Sequence, residues 1–60
     1  MKLNTYFYVV NIYFDVQLMR SISGTINATS KDVYSDITDK FSKELRNGEH
    51  LFINNISKLN

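Results

Sequence analysis

The stretch Tyr6-Phe7-Tyr8-Val9-Val10-Asn11-Ile12-Tyr13-Phe14 constrains this chain more than any other, because its side chains alternate with the two-residue period of a β-strand. The chain has four tyrosines and four phenylalanines, and five of these eight lie in this stretch. Its even positions, Tyr6, Tyr8, Val10, Ile12 and Phe14, form an unbroken apolar row. Its odd positions read Thr5, Phe7, Val9, Asn11, Tyr13 and Asp15. The first row suits a core. The second is half apolar, so the strand needs a neighbour on each edge and a cover over its second face, which makes it a central strand.

The reversal after this strand falls between Asp15 and Arg20, where no Gly, Pro or Asn-Gly fixes its position. A second strand follows, with Ile22, Gly24, Ile26 and Ala28 on its inner face and Ser21, Ser23, Thr25, Asn27 and Thr29 on its outer one. Gly24 on the inner face predicts a bulge or the close approach of a bulky neighbour, such as a strand-1 aromatic or the helix. At Thr29-Ser30-Lys31-Asp32 the period changes to 3.6, with Ser30 as the expected N-cap and Asp32 favoured in the first turn by the helix dipole. Val33, Ile37, Phe41 and Leu45, with Tyr34 alongside, form the stripe of a helix that Arg46-Asn47-Gly48 should close. The last strand starts with Leu51-Phe52-Ile53 and loses its alternation at Asn54-Asn55; a one-residue bulge there returns Leu51, Ile53 and Ile56 to one face.

These elements predict one α+β domain over residues 1–60, β-β-α-β, with a three-stranded antiparallel sheet in the order 2-1-3 and the helix packed on one face by a right-handed crossover. Phe7, Val9 and Tyr13 would then line the opposite face, with no second layer to cover them. Sixty residues bury only about 60% of the surface their unfolded chain exposes, and there is no cysteine to staple them. Oligomerisation is the remaining device, which predicts a homodimer through that face or through the free edge of strand 2 or 3.

Composition excludes several function classes. With no Cys and a single His there is no basis for a zinc cluster or a thiol nucleophile. His50, the one side chain that ordinarily titrates near neutrality, follows the Gly48-Glu49 turn with no partner in the pattern, and reads as a surface residue. No carboxylate dyad or glycine-rich phosphate loop is present, so neither an enzyme nor a cofactor is expected. A net charge of +1 favours neither nucleic acid nor a membrane surface. Asn11 and Asp15 interrupt the apolar N-terminal stretch, which argues against a secretion signal and for a cytoplasmic protein. Asn27-Ala28-Thr29 and Asn55-Ile56-Ser57 match the glycosylation pattern by chance spelling.

Two surfaces remain as candidates. The open sheet face, with Phe7, Val9, Asn11 and Tyr13 beside Ser21, Ser23 and Thr25, suits a protein interface. Alternatively its aromatics could stack bases of RNA or DNA, with Lys2, Arg20 and Lys58 as the only flanking cations. The helix's outer face carries Asp32, Asp36 and Asp39 early and Lys40 and Lys43 late. The acidic row could mimic phosphates, but compensation of the helix dipole gives the same gradient with no partner.

The whole layout is similar to that of small accessory proteins of bacteriophages, prophages and other mobile elements, some of which are anti-CRISPR inhibitors. The likeness rests on the Tyr- and Phe-rich first strand, Arg20-Ser21-Ile22-Ser23-Gly24-Thr25-Ile26, the capped helix, and Phe52-Ile53-Asn54-Asn55-Ile56-Ser57-Lys58-Leu59. It implies a non-enzymatic protein acting in a host cytoplasm by occupying the surface of a host protein or protein–nucleic acid complex.

Overall fold

The structure, a computed structural model, describes residues 2–59; residues 1 and 60 of the expected domain lie outside it. Strands β1 (Asn4–Phe14), β2 (Gln17–Ala28) and β3 (Glu49–Lys58) and one helix, α1 (Val33–Ser42), follow one another as β-β-α-β. The sheet is open and antiparallel in the order β2-β1-β3, so the most apolar strand is central, as its two-sided pattern predicts. Eleven residues of β1 extend about 36 Å at a strand's rise, close to the longest dimension of 37 Å. Ten helical residues reach only about 15 Å. The helix therefore cannot roof more than about half the sheet's length.

Under that roof, Tyr6, Tyr8 and Val10 of β1 pack with Ala28, Val33, Ile37 and Phe41, while Ile22, Ile26, Leu51, Ile53 and Ile56 close the sides. The Tyr8 and Phe41 rings meet edge to face, with centroids 5.7 Å apart and planes at 75°. Gly24 sits opposite Tyr8 in the ladder, and an added Cβ there would lie 2.8 Å from Tyr8 Oη. Of the two expectations for Gly24, the close approach of a strand-1 aromatic is the one realised.

The bulge expected in β3 is present: Val9 pairs with Asn55 and Val10 with Ile53, leaving Asn54 unpaired. Leu51, Ile53 and Ile56 consequently share the core side. A second bulge lies at Met19, between the pairs Ile12–Arg20 and Tyr13–Leu18. The hairpin itself is tight, with Asp15 and Val16 between the paired Phe14 and Gln17. Asp15 takes a left-handed φ of 57°, which its short polar side chain tolerates better than most.

Several local expectations are corrected. The N-cap is Asp32 and not Ser30, and neither side chain caps: Thr29 Oγ1 accepts the Asp32 N–H at 3.2 Å, so the turn before the helix takes the hydroxyl. Tyr34 does not join the buried stripe but points outward, 61% exposed. The helix stops at Ser42, well short of Arg46. Its Ser and Thr hydroxyls bond back to carbonyls a turn earlier, which weakens a helix, and the chain must leave the helix early to reach Glu49 beside Phe14. Leu45 thus lies in the following loop, half-buried. Gly48 does take a left-handed φ of 87°, but in a turn closed by the Glu49 N–H donating to the Arg46 carbonyl at 2.9 Å, not as a helix cap. Phe14, the last residue of the even row, is half exposed and lies against Gly48 instead of the core.

Candidate interaction face

Antiparallel partners share a face, so the register assigns each strand residue to the helix side or the open side. On the open side, β1 presents Thr5, Phe7, Val9, Asn11 and Tyr13. Asn27, Thr25, Ser23, Ser21 and Leu18 flank them on β2, and Ser57, Asn55, Phe52 and His50 on β3. Phe7, Val9, Asn11, Tyr13, Ser21, Ser23 and Thr25 are therefore brought together as expected. The β1 residues are half-buried between their neighbours, whereas Ser21, Ser23 and Thr25 are exposed.

Phe52 and Leu18 also belong to this face, 61% and 50% exposed, and were not among the expected residues. The signal for Phe52 was available, since a bulge that turns Leu51 and Ile53 inward must turn Phe52 outward. Leu18 had no such signal, because Leu18 and Met19 are both apolar and the alternation does not reveal which one is extra. With Tyr13 they make the hairpin end of this face apolar.

No open-side strand position carries Lys, Arg, Asp or Glu, although 22% of the chain is charged. Arg20 and Lys58, expected to flank this face, pair with Ile12 and Tyr6 and so belong to the helix side. Their even numbering, shared with Ile22 and Ile56, already indicated this. The polar groups of the open face partly satisfy one another: Ser21 Oγ donates to Asn11 Oδ1 at 2.7 Å, Thr5 Oγ1 to Asn27 Oδ1 at 2.8 Å, and Asn55 Nδ2 to Ser57 Oγ at 3.2 Å. Covering such groups costs less than burying free ones.

On the helix side, Arg20 grips Glu49 across the sheet with Nη1 at 3.0 Å from Oε2. Glu49 Oε1 also accepts the Arg46 N–H at 2.7 Å, and its side chain is only 5% exposed. That backbone bond first, and then Arg20, hold its carboxyl below the usual value of 4.5. A lowered folded-state pKa stabilises the fold above the unfolded value and ceases to as pH falls through the folded one. The thermal midpoint is thus expected to drop on acidification below about 4.5, and Glu49→Gln should flatten that part of the profile. An unaltered acid limb in Glu49→Gln would mean that this carboxylate contributes nothing.

The helix-face candidates Asp32, Asp36, Asp39, Lys40 and Lys43 are all exposed, and none forms an ion pair among the described residues. Asp36 in the first turn and Lys40 in the last match the dipole's signs. His50 is exposed at the start of β3 beside Tyr13. No described helix is long and apolar enough to cross a membrane. No protein family, curated protein or solved structure matches the chain.

Proposed function

We propose that this protein is a non-enzymatic interaction module whose open sheet face docks on another protein. The observation that supports it is a face without Lys, Arg, Asp or Glu, with Phe7, Val9, Tyr13, Leu18 and Phe52 among internally bonded hydroxyls and amides. Depletion of charge with enrichment of aromatic side chains is the composition of an interface core, not of ordinary solvated surface. Base stacking on the same aromatics would need cations nearby to meet the phosphates. Arg20 and Lys58 are on the other side, which leaves of the three expected cations Lys2, exposed ahead of β1, so a protein partner fits better than RNA or DNA. The resemblance in layout to accessory proteins of mobile elements, anti-CRISPR inhibitors among them, makes a component of a host defence complex the partner class to assay first.

Affinity capture from bacterial lysate tests this with paired variants. Leu18→Lys/Phe52→Lys replaces two exposed side chains, should leave the fold intact, and is expected to abolish capture. Asp36→Lys/Asp39→Lys on the helix should retain it. The reverse pattern would move the site to the helix. Micromolar binding of single- or double-stranded nucleic acid at near-physiological salt, falling steeply as salt rises, would overturn the protein reading.

A further inference from the structure

The two edges of the sheet are unequally protected. Strand β3 is interrupted at mid-length by the Asn54 bulge and carries the exposed His50 and Lys58. Such irregularities and charges are what prevent one edge from pairing with another. Strand β2 pairs with β1 without interruption from Arg20 to Ala28, and its bulge lies outside that run, at Met19. Its one charge, Arg20, is engaged by Glu49, and the chain contains no proline. Among the described residues, no loop or helix group bonds the outward backbone groups of β2.

The geometry points to this edge as a site for a second copy of the same chain, paired antiparallel about a two-fold axis at Gly24. An antiparallel self-pairing places residues equidistant from the axis opposite each other. Centred on Gly24, Ile22 meets the second copy's Ile26 and Ser23 meets its Thr25, each twice, so apolar faces apolar on the helix side and hydroxyl faces hydroxyl on the open side. About Gly24, Arg20 meets the small Ala28 at the ends of the pairing; moving the axis to Ser23 would set Arg20 against the larger Ile26 and Ile22 against Gly24, and moving it to Thr25 would set Gly24 against Ile26. Ile22 and Ile26 are only half-buried in the single chain and gain cover. The Tyr8 hydroxyl, lying over Gly24 with no hydrogen-bond partner among the described residues, is brought to the axis.

An axis perpendicular to the sheet keeps both helices on one side. The two open faces then join into a single six-stranded surface, doubling the face on which the proposed docking function rests. The dimer does not itself depend on that function, and its test reads self-association in variants of Ser23 and Thr25, not capture by Leu18 and Phe52.

Sedimentation at high micromolar concentration should give twice the chain mass of 7.0 kDa. Ser23→Lys/Thr25→Lys sets lysine against lysine at both pairings, and should weaken the dimer by roughly tenfold or more while the helix signal in circular dichroism persists. Ser23→Lys/Thr25→Glu sets lysine against glutamate at both, and should restore it. Leu18→Lys/Phe52→Lys should dimerise like the wild type, so loss of partner capture in that variant is read separately. Amide exchange of the wild type across Ile22–Ile26 should slow as concentration rises, a readout that does not depend on any variant folding. A monomeric wild type overturns the inference, as does concentration-independent exchange or equal self-association of the two charged variants.

Discussion

Phe41→Ala should remove between a third and all of the folding free energy of this domain. Phe41 is 3% exposed, closes the helix stripe over β1, and holds Tyr8 edge to face. Truncating a buried phenylalanine costs about 3–5 kcal/mol through lost transfer energy and the cavity left behind. A sixty-residue domain has in total roughly 3–9 kcal/mol at the usual stability per residue. The substitution therefore consumes a third of the stability at the least and all of it at the most. A thermal melt should shift down by more than about 12 °C, given roughly 4 °C or more per kcal/mol at this size. Tyr34, on the same helix but outward, is the control: Tyr34→Ala should stay within about 0.5 kcal/mol of the wild type. An unchanged midpoint in Phe41→Ala, or equal losses in the two variants, would show the helix packed through a different face.

The contrast between those two aromatics shows where the sequence was readable. Val33, Ile37 and Phe41 recur every four residues and are the helix's three buried side chains. Tyr34 lies one position on, and a stripe read by spacing does not say how wide it is. Leu45 continues the same spacing yet lies beyond the helix, because the path to β3 decides where the chain turns. Alternation was the more reliable guide. It identified β1 as central, and its failure at Asn54-Asn55 located the β3 bulge, since polar residues interrupt an apolar row visibly. The Met19 bulge left no such trace because the extra residue is as apolar as its neighbour. Of the open face, the β1 residues and Ser21, Ser23 and Thr25 of β2 followed from parity alone. Its apolar end at Leu18 and Phe52 required both bulges to be placed.

Gly48→Val should be the most damaging change outside the core, and two effects compete to cause it. An added Cβ would sit 2.8 Å from Phe14 Cε2, a clash, and would have to adopt a φ of 87°. The clash is the weaker of the two: Phe14 is half exposed, and its ring can swing toward solvent. The backbone has no such escape, because the turn is pinned by the Glu49 N–H on the Arg46 carbonyl and by the Arg46 N–H on Glu49, itself gripped by Arg20. A β-branched residue held at positive φ costs about 1–3 kcal/mol, toward the upper end for valine. Gly48→Asn keeps a Cβ but tolerates the left-handed region, and should recover most of the loss in a denaturant titration. Phe14→Leu, which removes the ring, should not rescue Gly48→Val. If it did, and asparagine were as harmful as valine, the steric contact with Phe14 would outweigh the strain of the left-handed turn.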